Sequence, residues 1–194
     1  GCIYKVNAGD GAFYGPKIDI HIKDAIKRSH QCATVQLDFQ LPEKFDLTYI
    51  NEDNEKVRPV VIHRAVFGSI DRFLGILIEH FSGAFPLWLA PKQVEIIGVS
   101  EAHHDYVSEI YEQLQRAGIR VSIDHRNEKL GRKIRDAQVK KVPYILVLGD
   151  QEQTNKMVTV RAYKQDGLQT MSLEKFLNQI QEEIAEKLLP NYVL

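Results

Sequence analysis

Two hydrophobic periods follow one another along this chain, and the change from one to the other limits what it can fold into. From Pro16 to Lys23 the alternation is strict: Pro16, Ile18, Ile20 and Ile22 are apolar, and Lys17, Asp19, His21 and Lys23 are polar. Residues 31–40 repeat it, with Ala33, Val35, Leu37 and Phe39 set against Cys32, Thr34, Gln36, Asp38 and Gln40. A period of two is that of a half-buried strand. The stretch Asp24 to His30 is short enough for a hairpin-type connection, so the two strands are expected to pair antiparallel. A third strand is expected from about Arg58 to His63, after the turn-like Asn51-Glu52-Asp53-Asn54. The period then becomes helical. Val66, Ile70, Phe73, Leu74 and Leu77 share one face, which predicts a helix from about Arg64 to His80. Gly83 and Pro86 end it, and Trp88-Leu89-Ala90-Pro91 reads as a packed connector with the boundary at Pro91.

Beyond Pro91 the rhythm is β–α–β–α–β–β–α. Strands are expected at Val94–Val99, Ile119–Asp124, Val142–Gly149 and Met157–Tyr163, and helices at about His103–Ala117, Lys129–Lys141 and Ser172–Lys187. Gly118 sits where a helix C-terminal cap belongs. Strands followed by helices argue for a mostly parallel sheet. The fold class is therefore α/β, in two parts. Residues 1–90 form a truncated antiparallel-sheet unit. Residues 91–194 form an α/β domain with a mostly parallel mixed sheet flanked by helices, long enough to stand alone.

The formal net charge is −1, so an anionic partner has to be argued from a local patch. No stretch approaches a membrane span, and the N-terminus carries no basic-then-apolar signal pattern. Cys2 and Cys32 make neither a metal spacing nor a disulfide framework, which fits a reducing, cytoplasmic setting. Gly1 to Asn7 gives no element a clean beginning and reads as part of a longer protein.

The polar face of the first two strands admits two readings, a wet surface or the floor of a cleft. Lys17, Asp19, Thr34 and Gln36 supply ammonium, carboxylate, hydroxyl and amide groups on rigid strands, as a floor requires. Gly68, Arg72 and Gly75 fall on one helical stripe. Glycines there either clear space for the Arg72 guanidinium to grip a phosphate or allow close helix packing. His63, ending a strand, is structural or a lone metal ligand. Residues 126–141 hold seven basic and two acidic residues, a local net of +5. That run is either a solvated face or an anion-binding one. Leu130, Ile134, Ala137 and Val139 are expected to pack, so the charges should point outward. His103-His104 reads as a solvated helix start, and Leu173, Phe176, Leu177, Ile180 and Ile184 as an amphipathic helix.

Three stretches carry a family resemblance: Gly-Ala-Phe-Tyr-Gly-Pro-Lys-Ile-Asp at 11–19, His-Gln-Cys-Ala-Thr-Val-Gln-Leu-Asp-Phe at 30–39, and Val-Ile-His-Arg-Ala-Val-Phe-Gly-Ser-Ile-Asp-Arg-Phe at 61–73. In this order they closely resemble the threonyl-tRNA synthetases, and the last resembles the third signature motif of class II synthetases. The resemblance covers essentially the whole chain. It implies that residues 1–90 are the C-terminal part of a class II catalytic domain and that residues 91–194 are an anticodon-binding domain. It implies ATP with Mg2+ as cofactor. Arg72 would hold the γ-phosphate, Gln31 and Thr34 the adenosine, and Tyr14 would lie against the threonine amino group, with Lys17 and Gln36 lining the same pocket. His63 matches one of the family's three Zn2+ ligands. The other two, and the first two class motifs, lie outside this chain, so the fragment alone is expected to bind tRNA without making threonyl-adenylate.

In the second unit the resemblance runs from Ile119 to Arg161. It implies that Asn127, Lys129, Arg135, Glu152 and Arg161 contact the anticodon of tRNA(Thr). Glu152 with Arg161 or Arg135 would read the central G, and Lys129, Lys133 and Arg132 would meet phosphate. The full-length enzyme would be a homodimer. The competing expectation is a non-catalytic RNA-binding accessory module. Tyr14, His63 and Arg72 argue against it, because a pure binder has no use for them.

Overall fold

The computed structural model describes residues 3–24 and 26–190. Cys2 lies outside them. The chain divides into two compact units between His80 and Phe81. Among the described residues no helix is long and apolar enough to cross a membrane.

The first unit holds β1 (Lys17–Lys23), β2 (Ser29–Asp38), α1 (Gln40–Lys44), β3 (Tyr49–Ile50), β4 (Lys56–Val57), β5 (Val61–Ala65) and α2 (Ile70–His80). β1, β2 and β5 make an antiparallel sheet in that order, and β3 and β4 form a separate small ribbon. The β1–β2 hairpin forms as expected. Asp24 Oδ1 accepts from the backbone N–H of Ile26 (3.1 Å) and Arg28 (2.8 Å), and Lys27 takes a left-handed φ of +67°.

The expectation of a half-buried β1 is corrected. Its apolar face is the open one: Ile18, Ile20 and, on β5, Ile62 are 66%, 52% and 62% exposed. No described element of this unit covers that face. The helix also begins later than the periodicity suggested. β5 takes residues up to Ala65, and Gly68 turns the chain at φ +65° before α2 starts. Gly68 is therefore a turn residue and shares no helical stripe with Gly75. None of α2's residues is buried.

The second unit holds β6 (Val94–Gly98), a 3-10 turn at Glu101–His103, α3 (His104–Arg116), β7 (Val121–Ile123), α4 (Leu130–Val139), β8 (Tyr144–Leu148), α5 (Asp150–Asn155), β9 (Met157–Ala162), β10 (Gln169–Ser172) and α6 (Leu173–Ala185). The sheet order is β10-β9-β8-β6-β7. β7, β6 and β8 are parallel, while β8–β9 and β9–β10 are antiparallel, so the sheet is mixed. α5 and β10 escaped the periodicity because each is too short to show one.

Period-two alternation sends the two faces of this sheet to separate cores. Val94, Ile96, Leu146, Leu148, Val158 and Val160 pack with Ile110 and Leu114 of α3 and Phe176 and Ile180 of α6. Ile97 and Ile145 pack on the other side with Ala137, Leu130 and Ile134 of α4. α3 ends in a left-handed glycine cap. Gly118 has φ +79°, its N–H donates to Gln115 O and that of Ile119 to Leu114 O.

The boundary expected at Pro91 lies upstream, because the connector belongs to the second unit. Phe81, Ala84, Leu87 and Ala90 are buried, and Leu87 sits in the larger core. Gln93 Nε2 donates to Leu87 O (2.9 Å), and the Arg120 guanidinium donates to Ala90 O (2.8 Å) and Trp88 O (3.0 Å).

Three further expectations are corrected here. Lys133 does not point outward; it is 9% exposed, and its ammonium donates to Asp124 O at 3.3 Å. Val139 does not pack; it is exposed. His103 is not solvated but buried.

Candidate functional site

In the first unit, cross-strand register sets the polar side chains in rows. Lys17 pairs with Gln36 and Gln36 with His63; Asp19 pairs with Thr34. Directly opposed residues share a face, so these five lie on one surface. Gln31 should point the other way by alternation. The register, however, passes from Ile20–Ala33 to His21–Gln31, leaving Cys32 as an extra residue on β2. This β-bulge returns Gln31 to the polar face. There its Nε2 donates to Asp19 Oδ1 at 2.7 Å, while Lys17 Nζ lies 2.9 Å from Asp19 Oδ2. The Lys17 ammonium holds the Asp19 carboxyl below the usual carboxylate range, and Asp19 in turn raises Lys17.

Arg72 joins the same chain of contacts. Its Nη2 donates to Gln31 O at 2.8 Å, and Gly68 makes room for it: a Cβ there would stand 3.2 Å from that nitrogen and 3.1 Å from Cys32 O. One bond out of five donors leaves most of the guanidinium fork for a ligand. Gly15 is as tightly constrained, since a Cβ would overlap the carbonyl oxygen of Leu37. This brings Tyr14 next to β2, where its OH donates to Gln36 Oε1 at 2.5 Å and its ring meets His63 edge-on at 5.7 Å.

The buried carboxylate of Asp38 organises the far end of the floor, and sequence reasoning missed it. Oδ1 accepts from the N–H groups of Gln40 and Leu41, both at 2.9 Å, and Oδ2 lies 2.8 Å from His63 Nε2. Burial pushes its carboxyl up, but the Leu41 N–H, His63 and the Gln40 N–H together bring it below the usual range. The available signal was parity, because Asp38 sits on the same alternating face as Thr34 and Gln36. Asp38 fixes Nε2 of His63 and leaves Nδ1 for a metal, an arrangement common around metal-bound histidines. Among the described residues no group of three or more His, Cys, Asp or Glu could hold an ion, so His63 is not a metal site by itself.

In the second unit, Asn127, Lys129 and Arg135 are exposed, the first two on the β7–α4 loop and the third on α4. Lys129 and Arg135 make no ion pair among the described residues. Two other arginines of the basic run are paired with carboxylates. Arg126 bridges Asp124 (2.6 Å) and Asp136 (2.7 Å), and Arg132 meets Glu128 at 3.1 Å. Arg126 holds both of its carboxylate partners below their ordinary values. A cavity of about 140 Å³ opens at the carboxyl ends of β6 and β7, lined by Ser100, His104, His125, Asn127 and Lys133 among others. In α/β sheets this is the end where ligands gather.

Glu152 lies in the first turn of α5, just beyond β8. Its Oε2 accepts from Gly149 N (2.9 Å) and its Oε1 from Thr159 Oγ1 (2.7 Å). Burial pushes this carboxyl up, and the Thr159 hydroxyl and Gly149 N–H more than offset it, so it sits below the usual range. Arg161 pairs with Ile145 and Thr159 with Val147, which puts both on the sheet face that α4 covers further along. Arg161 Nε is buried and finds no partner among the described residues.

Comparison with known proteins matches both units. Residues 2–81 match the tRNA synthetase class II core domain (G, H, P, S and T), and residues 93–183 match the anticodon binding domain. The chain is 63% identical over 187 residues to threonine–tRNA ligase 2 of Bacillus subtilis, covering 96% of this chain and 29% of that protein. It is 58% identical over 188 residues to threonine–tRNA ligase of Clostridium kluyveri, covering 97% of this chain and 30% of that protein. Among solved structures, the RNA binding domain of threonyl-tRNA synthetase from Cryptosporidium parvum superposes with a TM-score of 0.80 at 40% identity, over 91% of this chain and 44% of that one. Prolyl-tRNA synthetase of the same organism shares the fold at a TM-score of 0.72 and 23% identity, over 92% of this chain and 39% of that one. The chain thus spans about 30% of the length of the relatives it matches. With both units matched in sequence and in fold, the chain belongs to the threonine–tRNA ligase family of class II tRNA synthetases, of which it carries part of the core domain and an anticodon-binding domain.

Proposed function

We propose that this chain is the segment of a threonine–tRNA ligase that supplies one wall of the ATP and threonine site and the whole of the anticodon-reading surface. The full enzyme would activate threonine with ATP and Mg2+ and transfer it to tRNA(Thr), as a homodimer in the cytoplasm. The observation that carries this reading is the connected polar floor, Arg72–Gln31–Asp19–Lys17 beside Tyr14–Gln36 and His63–Asp38, in a chain whose second unit matches an anticodon-binding domain. A solvated strand face has no need of a bulge that re-aims Gln31 or of a buried carboxylate holding a histidine.

On this reading Arg72 takes the ATP γ-phosphate with its unused donors and stabilises the charge that develops as pyrophosphate leaves. Gln31 and Thr34 meet the adenosine, Tyr14 the threonine amino group, and Lys17 and Gln36 line the pocket between. His63 offers Nδ1 to Zn2+, with the remaining ligands contributed from outside this chain. The ion, when bound, supplies a Lewis acid that tells threonine from valine by its hydroxyl, a pair that an apolar pocket separates by only about 1–3 kcal/mol.

In the second unit Lys129 meets phosphate, and Arg135, Asn127, Glu152 and Arg161 face bases. The orphaned Arg161 Nε supports this, because a buried donor without a partner is costly until a ligand satisfies it. The test uses the 194-residue chain. An anticodon stem–loop RNA with a central G should bind more tightly than the same RNA with a central A, and ATP–pyrophosphate exchange should be absent. Equal binding of the two RNAs, or clear threonine-dependent exchange, would overturn the respective half of the proposal.

A further inference from the structure

His103 is buried inside a turn where an exposed side chain was expected, with 2% of its surface exposed. Its Nδ1 lies 3.2 Å from the backbone N of Ser100 and 3.0 Å from Ser100 Oγ, and its Nε2 lies 3.0 Å from Asp150 Oδ1. A backbone N–H can only donate, so Nδ1 is an acceptor and the proton of the neutral ring sits on Nε2, which donates to Asp150. The imidazole thus does two jobs. It closes the capping box at the entrance to α3, and it reaches across to the first residue of α5.

That second link joins two loops. Ser100 follows β6 and Asp150 follows β8, and these strands are parallel neighbours whose ends are also tied by Val99 N to Leu148 O at 2.9 Å. α5 is six residues long and buries none of them, so its direction is held by the Asp150 link together with the Glu152 contacts to Gly149 N and Thr159 Oγ1. Glu152 rides on it two residues beyond Asp150. Asp150 itself is 97% exposed, so its charge is screened and the link acts through geometry.

We propose that His103 is a positioning residue for base recognition: by joining the β6 loop to α5 it sets where Glu152 presents its carboxylate to RNA. This rests on the reading of Glu152 as a base reader. Two substitutions at 103 separate the link from the cap. A glutamine can accept from Ser100 N and donate to Asp150. A glutamate makes the same cap, for which it is well suited, but sets a carboxylate against Asp150.

The experiment measures the affinity of the full chain for the central-G stem–loop relative to the central-A one. His103→Gln should keep the wild-type ratio. His103→Glu should lower it by about three- to tenfold, the value of one lost hydrogen bond. The swap His103→Glu with Asp150→Asn restores a donor to the glutamate at wild-type net charge and should restore the ratio. An unchanged ratio in a folded His103→Glu chain overturns the proposal, and so does a swap that fails to rescue binding or folding. Glu152→Gln is measured alongside. If it leaves the ratio unchanged, the base-reading assignment has failed; if it lowers the ratio while His103→Glu does not, only the positioning role has failed.

Discussion

The two units use the same alternating pattern and reach opposite results. In the second, both sheet faces are closed: one core gathers residues from four strands and two helices, and a smaller one forms beneath α4. In the first, the described residues bury hardly any apolar side chain beyond Cys32 and Pro42, while the polar face is tightly ordered. Hydrophobic burial, at about 25 cal/mol per Å², is the main driving term of folding, so the second unit can fold on its own and the first needs a cover. The polar floor is ordered because register, a bulge and Asp38 order it, and none of these depends on a closed core.

The sharpest way to break this comparison is to separate the units. Residues 81–194 alone should unfold in one cooperative transition, whereas residues 1–80 alone should give none; both are read from circular dichroism against urea. A cooperative transition in the first piece would mean that its open face is no liability. Within the whole chain, Phe176→Ala should cost about 3–5 kcal/mol, because that ring is fully buried and meets Tyr144 edge-on at 5.5 Å. Ile20→Ala, on the open face, should stay within about 0.5 kcal/mol. Comparable losses at both sites would erase the distinction.

A smaller effect separates the charges proposed to meet RNA from charges that hold the fold. Lys129→Ala should flatten the salt dependence of RNA binding by roughly one unit of slope. Lys133→Met should leave that slope alone and lower the unfolding midpoint, since its ammonium is already committed to Asp124 O. The smallest effect concerns pH. Burial pushes the Glu183 carboxyl up, against the Tyr144 hydroxyl that donates to it at 2.8 Å. A raised acid binds its proton more tightly when folded. Its contribution is therefore present below the unfolded value of about 4.3 and is lost as pH rises through the folded one. Glu183→Gln should thus raise the melting midpoint slightly at neutral pH and flatten its pH dependence on the acid side, in the window that opens above about 4.3. A lower midpoint at neutral pH would show that the hydrogen bond outweighs the burial.

The sequence carried whatever depends on period and on local chemistry. The β1–β2 hairpin, the parallel β6–β7–β8 rhythm and the Gly118 cap were all legible. So were most of the floor residues, since alternation assigns Lys17, Thr34 and Gln36 to one face. Facts that need a distant partner were not legible. Alternation names the face of Ile18 and Ile20 but not what covers it. Gly68 fits a helical stripe as well as a turn until its φ is known. Lys133 and His103 have the composition of surface residues, and the contacts that occupy their polar atoms, to Asp124 O and to Ser100 and Asp150, show in neither period nor composition. The bulge at Cys32 changes no residue type at all and still reverses the direction of Gln31.

The strand order has a consequence in time. β6 is made first and ends up between β7 and β8, so those two strands can dock on either side of it as they appear. Each addition leaves the face carrying Ile96, Leu146 and Val158 only partly roofed, by α3. Phe176 and Ile180 of α6 finish that roof, and they come last. During synthesis the domain is therefore a growing sheet with one apolar side open until α6 has been made, and a ribosome that stalls before residue 173 would release a chain prone to aggregate through that side.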